Sequence, residues 1–287
     1  MSWKKNRYNK KSAKKLGWHP SWFGDNLVEF DNNLISCVVA FQHEHDLEPD
    51  GLVGPVTFRR LLSERDLQDL EDSKNYILIN GAKKEINWDV KINLMKPGCY
   101  RKKNPGQRDV NMIVTHWDAC TSAERCKKVL EARNISTHFC IDNDGVIHQF
   151  LDTKDIAWHA GAGNNSDTIG VDFSNAYYLK YNKFYQKKGL PKRPVLSNSR
   201  VHGVNLKPHL GYYPVQIEAY KRLISLLCEE HKIPLQIPRN VSEQFLTRVY
   251  PPAVNGTFHG IVCHYHLTRN KIDCAGLELD KIIDQLG

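Results

Sequence analysis

The sequence predicts an α/β domain with a mixed central β-sheet flanked by helices, preceded by a small helical bundle. From residue 111 onward, short apolar runs alternate with helical patterns, which favours a sheet covered by helices. A strongly periodic stretch at 216–232 supplies one covering helix. Near the N-terminus, two helical patterns flank a glycine-containing turn between residues 31 and 63, which is typical of a small bundle.

The composition is that of a globular protein with a sizeable core, because 41% of its 287 residues are hydrophobic. The formal net charge is +8, and the first fifteen residues hold seven basic side chains and no acid. This run is either a solvated, frayed terminus or a site of attraction to a polyanion such as an anionic cell wall. No nucleic-acid-binding motif accompanies the charge, so we do not expect nucleic acid as a partner.

No apolar run follows the basic residues, so no secretory signal peptide is expected. No apolar stretch is long enough for a membrane-spanning helix, and stable membrane insertion is not expected. The eight cysteines show no framework spacing, which favours reduced thiols in a protein made in the cytosol.

The helical bundle is predicted from its apolar spacing and its turn. Apolar residues recur at helical spacing from Leu34 to Phe41, and Pro55 suits the first position of a second helix that buries Phe58 and Leu61. Four segments follow from these patterns: a basic tail at 1–20, a helical domain at 21–68, a linker or extension at 69–107, and the α/β domain at 108–287.

The elements of the α/β domain follow in order. Residues 76–110 are weakly patterned, with short strands at most. After them the patterns predict a strand at 112–117, a helix at 122–133, a hairpin at 137–151, a strand at 168–174, a surface excursion at 175–212, a helix at 216–232, a strand at 260–264 and a closing helix at 277–286.

Two histidines occupy equivalent places in this pattern. His116 and His264 each end a short apolar strand, IVTH and IVCH, so the ends of neighbouring strands can bring them together. Cys274 or Asp273 follows in the next loop. Three such ligands leave a fourth position for water, which is typical of catalytic zinc. Taken singly, a histidine at a strand end is more often a packed residue.

Five blocks of this region carry a resemblance. IVTHWDA, THFCIDNDGVIHQF, AWHAG, TIGVDFSN and IVCH…CAG stand in the order found in the zinc N-acetylmuramoyl-L-alanine amidases, a family that includes phage lysozyme-type amidases and peptidoglycan recognition proteins. The resemblance covers residues 111–285. It implies Zn²⁺ as cofactor, with His116 and His264 as ligands. Cys274 is the favoured third ligand and Asp273 the alternative.

The resemblance also implies catalytic and substrate-binding residues. Asp172 is the candidate general base, at the position of a glutamate in the muropeptide-recycling branch. Lys271 would polarise the scissile carbonyl if Asp273 is the third ligand, and His159 would hold substrate or an oxyanion. The implied substrate-binding side chains are Thr137, His138, Trp158, His159 and His266.

A second resemblance lies in the helical bundle. AFQHEHDLEPDGLVGPVTFRRL is similar to the repeat of peptidoglycan-binding domains, although a generic helical hairpin would share part of the pattern. The resemblance implies a small N-terminal three-helix bundle. The implied wall-binding residues are Phe41, Gln42, Asp50, Gly51, Gly54 and Thr57.

Together these features predict a modular phage endolysin. It would cleave the amide between N-acetylmuramic acid and L-alanine of bacterial peptidoglycan, as a monomer that accumulates in the host cytoplasm and acts on the wall in the periplasm. The alternatives are a non-catalytic peptidoglycan-recognition protein, a virion-associated wall hydrolase and a bacterial autolysin.

Overall fold

The computed structural model describes residues 2–24, 26–72 and 75–286, with only the backbone described at 66–72. Positions 1, 25, 73, 74 and 287 of the predicted segments lie outside that part. The chain divides into a helical unit that ends at residue 74 and an α/β unit that begins at Asn75. In the described residues, no helix combines the length and apolarity that a membrane span requires.

In its described residues, the helical unit contains three α-helices, as predicted. The Asp31 carboxylate accepts a hydrogen bond from the Leu34 amide and so caps the second helix. Trp18, Leu34, Val38 and Leu61 are buried together at the centre of the unit. The helices are α1 (Ser2–Leu16), α2 (Asn32–Glu44) and α3 (Pro55–Asp72), with a 3₁₀ turn at Pro20–Phe23.

The prediction of a basic tail at 1–20 is wrong, because α1 packs into the unit. Its Asn9 side chain bonds to the backbone of Gly51 and Val53, and the Ser12 hydroxyl donates to the Val53 carbonyl. The Trp18 indole N–H donates in turn to Ser12. These bonds satisfy backbone groups of the turn before α3, while the lysines of α1 face outward.

The turn between α2 and α3 uses most of the residues assigned to wall binding. The Gln42 amide donates to Asp50, Thr57 and the Leu52 carbonyl, and its oxygen accepts from the Gly51 amide. Gly51 has φ +71°, and a Cβ there would lie 2.9 Å from Ile35. Gln42, Asp50, Gly51 and Thr57 therefore hold the turn, and their assignment as wall contacts stays a prediction.

Phe41 and Gly54 also have structural surroundings in the helical unit. Phe41 packs against the buried cluster, with its ring edge-on to Phe23 at 5.5 Å. A Cβ at Gly54 would lie 3.6 Å from the Tyr8 hydroxyl.

The α/β unit is built on a mixed sheet of six strands, which confirms the predicted fold class. The strand order is β14-β5-β9-β6-β7-β3, where β6 and β7 are antiparallel and the other neighbours are parallel. The strands are β1 (Tyr76–Ile79), β2 (Ala82–Glu85), β3 (Val90–Ile92), β4 (Tyr100–Arg101), β5 (Met112–Trp117), β6 (Phe139–Ile141), β7 (Ile147–Gln149), β8 (Ile156–Ala157), β9 (Thr168–Phe173), β10 (Val195–Leu196), β11 (Arg200–Val201), β12 (Val204–Asn205), β13 (His209–Leu210) and β14 (Gly260–Cys263). The helices are α4 (Ala123–Ala132), α5 (Asn182–Lys187), α6 (Pro214–His231), α7 (Pro251–Val254) and α8 (Leu279–Asp284).

The segment predicted as a linker or extension at 69–107 is an extension over most of its length. Strand β3 is an edge strand of the central sheet, paired with β7 through Val90 and Ile147. Strand β4 pairs with β8. These strands are two to four residues long, too short to give a readable period.

The sheet separates two packed layers, because side chains alternate along each strand. On one face, Ile113, Val171 and Ile261 pack against α6 through Leu223 and Leu227. On the other face, β5 contributes Met112, Val114 and His116, and β9 contributes Gly170 and Asp172. Helix α4 covers part of this second face, where its Cys126 packs in one cluster with Cys140 of β6.

A buried arginine helps to attach the excursion at 175–212 to the rest of the unit. The Arg193 guanidinium donates to the Gly211 and Ser174 carbonyls and to the Asn143 side chain. It also lies over the rings of Tyr185 and Tyr213, 4.7 and 4.3 Å from their centroids. The excursion is therefore an ordered part of the unit.

Candidate metal centre and cleft

Strand register places the predicted residues in one row across the sheet. His116 pairs with Asp172 between β5 and β9, and Asp172 pairs with Cys140 between β9 and β6. Cys263 pairs with Thr115, so His264 follows at the level of His116. Registered partners on neighbouring strands point to the same face, and the row therefore lies on the side away from α6.

Three ligand atoms meet at the end of this row. His116 Nδ1 lies 3.0 Å from His264 Nδ1 and 3.1 Å from Asp273 Oδ2, and His264 Nδ1 lies 3.0 Å from Asp273 Oδ2. Ligand atoms around a tetrahedral zinc ion are about 3.3 Å apart, given zinc–ligand distances of about 2.0–2.1 Å. Two imidazole nitrogens and a carboxylate oxygen in this arrangement fit zinc.

The protonation states also suit a cation. Burial and the neighbouring His264 lower the pKa of His116 to about 4, so its imidazole is neutral at neutral pH. Burial would raise the pKa of Asp273, but its contacts with His116 and His264 outweigh burial and hold the pKa below its ordinary value. The site thus presents a neutral imidazole and an ionised carboxylate, the forms that bind metal.

The favoured prediction of Cys274 as third ligand is wrong, and the alternative Asp273 takes that place. Cys274 is fully buried in the main core beside Cys263, where burial raises the pKa of its thiol well above the ordinary value. A neutral thiol packs like a small apolar group, whereas a buried carboxylate needs partners. The segment therefore turns Asp273 towards the two histidines and Cys274 into the core.

His159 supports His116. Its Nδ1 lies 2.9 Å from His116 Nε2, its Nε2 lies 3.2 Å from Thr168 Oγ1, and Thr168 donates to the Asn164 carbonyl. With Nδ1 of His116 as ligand atom, its Nε2 carries the proton and donates to His159. Both nitrogens of His159 are engaged, so its predicted role as catalyst or substrate ligand is corrected to positioning His116. The sequence analysis missed Thr168.

Asp172 lines the same cleft and is buried. Burial, followed by the charges of Asp118 and Asp273, raises its pKa well above the ordinary value. The Cys126 thiol donates to Asp172 Oδ2 over 3.6 Å. A buried carboxylate with a raised pKa beside the metal-binding residues suits a group that takes up and releases a proton. The spacing of SAERCKK gave no sign that Cys126 would reach it.

The cleft in front of the ligands has a volume of about 260 Å³. Of the predicted residues, Thr137, Trp158, His159 and Lys271 line it. Lys271 stands two residues before Asp273. Because Asp273 is the third ligand candidate, Lys271 meets the condition under which the sequence predicted a catalytic role for it. Lining residues that the sequence analysis missed are Trp117, Asp118, Ala119, Leu130, Arg133, Ile135 and Ser136.

Two predicted substrate-binding histidines lie away from this cleft. His138 Nδ1 accepts a hydrogen bond from the Gly170 amide, and its Nε2 lies 3.0 Å from the Asp155 carbonyl. His266 Nδ1 accepts from the Cys263 amide, and its Nε2 lies 2.7 Å from the Leu246 carbonyl. Both assignments are wrong, because these buried imidazoles are saturated by backbone groups.

Comparison with known proteins agrees with this geometry. The sequence profile of the N-acetylmuramoyl-L-alanine amidase family matches residues 106–273, more than half of the chain and a range that contains His116, His264 and Asp273. No curated protein matches the chain in sequence.

Among solved structures, the chain is similar to the N-acetylmuramoyl-L-alanine amidase LysC from Clostridium intestinale URNW, with 14% identity, a TM-score of 0.41 and coverage of 69% of this chain and 97% of that one. It is also similar to the N-acetylmuramyl-L-alanine amidase AmiD from E. coli in complex with an anhydro-muramyl peptide substrate, with 17% identity, a TM-score of 0.41 and coverage of 65% and 61%. TM-scores this low support no argument, and the assignment rests on the profile match. On that match, this chain belongs to the N-acetylmuramoyl-L-alanine amidase family of enzymes.

Proposed function

We propose that this enzyme hydrolyses the amide between N-acetylmuramic acid and L-alanine of the peptidoglycan stem peptide, with zinc held by His116, His264 and Asp273. The proposal rests on the convergence of their three ligand atoms, which lie 3.0–3.1 Å from one another at the floor of a cleft. A recognition protein that binds without cleaving would not need this complete set.

The chain's own residues supply the remaining chemistry. Zinc, when bound, provides Lewis acidity that polarises a carbonyl and makes water acidic enough to attack near neutral pH. The Asp172 carboxylate accepts a proton from the attacking water and returns it to the departing amine of L-alanine. Lys271 contributes a positive charge at the cleft towards the carbonyl oxygen, and His159 keeps His116 oriented. Trp158 provides an apolar surface for the substrate.

The setting we propose is a phage endolysin. Its helical unit resembles peptidoglycan-binding domains, and α1 presents exposed lysines that suit an anionic wall. The protein would act as a monomer, accumulate in the host cytoplasm and reach the wall of the periplasm at lysis.

Mass analysis of digested peptidoglycan tests the reaction. We expect intact glycan strands and stem peptides with free L-alanine amino termini, no release in the presence of a chelator, and recovery when zinc is restored. New reducing ends, or cleaved cross-bridges with intact muramyl amides, would show a different bond specificity and overturn the proposal.

A further inference from the structure

A group of aromatic side chains continues one wall of the cleft outward. Trp117, which follows the ligand candidate His116 and lines the cleft, packs against Tyr177 with ring centroids 4.8 Å apart. Tyr177 stacks on His209 at 5.0 Å, and Tyr178 lies 5.1 Å from Tyr177. We call Trp117, Tyr177, Tyr178 and His209 the aromatic wall. All but Trp117 belong to the 175–212 excursion, which the proposed mechanism does not use.

The aromatic wall is open to solvent at its outer end. Tyr178 is 60% exposed, and Trp117 and Tyr177 are half-buried. Within the described part of the chain, the Trp117 indole N–H and the Tyr177 and Tyr178 hydroxyls make no hydrogen bond. Contiguous exposed aromatic surface beside a cleft is typical of a ligand-binding surface.

The backbone of Tyr177 is strained to place its ring there. Its φ is +62°, in a region that bulky side chains avoid. The Asn175 side chain accepts from the Tyr177 amide and donates to the Leu210 carbonyl, while the Leu210 amide donates to the Tyr177 carbonyl. Non-glycine residues held in this way cluster at sites that clamp ligands.

We propose that the aromatic wall binds a pyranose ring of the glycan strand, on the sugar side of the scissile amide. This inference rests on the proposed function and names the part of the substrate that the wall holds. A pyranose packs its C–H face on an aromatic ring, and its hydroxyls bond to polar tips such as an indole N–H or a phenol. In the aromatic wall, Trp117, Tyr177 and Tyr178 are partly or largely exposed, and their N–H and hydroxyl groups make no hydrogen bond to described residues.

Charge favours the sugar over the stem peptide as occupant. Burial lowers the pKa of His209, so the four side chains of the aromatic wall are uncharged at neutral pH. The stem peptide carries carboxylates, and the cations that line the cleft are Arg133 and Lys271, outside the aromatic wall. The Lys180 ammonium lies over the Tyr178 ring, 5.7 Å from its centroid.

Tyr178→Ala tests the inference, with Leu179→Ala as matched control, because Leu179 is the next residue, 43% exposed and not aromatic. Amide hydrolysis is measured on two substrates with the same stem peptide, a muramyl peptide with one sugar and a strand of several disaccharides. For Tyr178→Ala we expect KM on the strand to rise about fivefold to tenfold, with kcat unchanged and a smaller effect on the single-sugar substrate. Leu179→Ala should match the wild type.

A second measurement is binding of peptide-free glycan strands by calorimetry. Weaker binding by Tyr178→Ala than by Leu179→Ala supports the inference. Equal binding, equal KM values for both variants, or a KM change that follows the stem peptide rather than strand length overturns it. If the wild type cleaves neither substrate, the proposed function fails, and strand binding still decides the inference.

Discussion

Exchanging the two adjacent candidates for third ligand gives the sharpest test of the metal centre. Asp273→Asn keeps the size of the side chain and removes the negative charge that lies 3.1 and 3.0 Å from the nitrogens of His116 and His264. Removing a residue that only supports a metal ligand costs about 10–100-fold in affinity. Loss of the ligand itself should therefore weaken zinc binding by at least about 100-fold and abolish lysis.

Cys274→Ala should behave in the opposite way. The thiol is fully buried in the core, so its loss should cost about 1–2 kcal/mol of folding free energy and lower the melting temperature by roughly 2–8 °C. Zinc content and kcat at 25 °C should stay at the wild-type level.

Three measurements decide between the two residues: zinc per chain after dialysis against buffered zinc, the melting temperature, and the rate of release of L-alanine amino termini. Zinc and activity lost in Cys274→Ala but kept in Asp273→Asn, with both proteins folded, would refute the geometric assignment.

Three further changes have distinct expected results. Asp172→Asn should lower kcat by about 10²–10⁴-fold at unchanged zinc content, and a kcat near the wild-type value would remove Asp172 as general base. His159→Ala should weaken zinc binding by about 10–100-fold, with activity restored by excess zinc; a loss that zinc cannot restore would contradict its role in positioning His116. Gln42→Ala should lower the unfolding free energy of the helical unit by about 2–4 kcal/mol in thermal unfolding, while the exposed control Asn33→Ala should change it little; equal melting of both variants would count against the turn network.

The site positions that depend on strand pattern could be predicted from the sequence. His116 and His264 were predicted to meet because each ends an apolar strand, and the parallel register of β5, β9 and β14 has that effect. Asp273 and Cys274 could not be separated, because they lie in an irregular segment whose side-chain directions follow no period. The packing of a carboxylate against two imidazoles decides that Asp273, and not Cys274, faces the histidines.

Histidines whose ring nitrogens are bonded to backbone groups were harder to recognise from the sequence. His138 is bonded to backbone groups of Asp155 and Gly170, and His266 to those of Cys263 and Leu246. An imidazole engaged in this way looks the same in the sequence as a free one. The first helix was obscured in the same way. Its lysines dominate the composition, whereas Asn9 and Ser12 hold it in place through bonds to a turn more than forty residues away.

The shared level of Cys140, Asp172, His116 and His264 has an evolutionary consequence. Their alignment is set by backbone pairing within the sheet, so insertion of one residue into β5 or β9 would turn the side chains beyond it to the opposite face. The connections at the carboxyl edge are free of that constraint. The 175–212 excursion can therefore lengthen, shorten or be replaced while the metal-binding residues keep their positions. Such a change would alter which part of the peptidoglycan the protein binds.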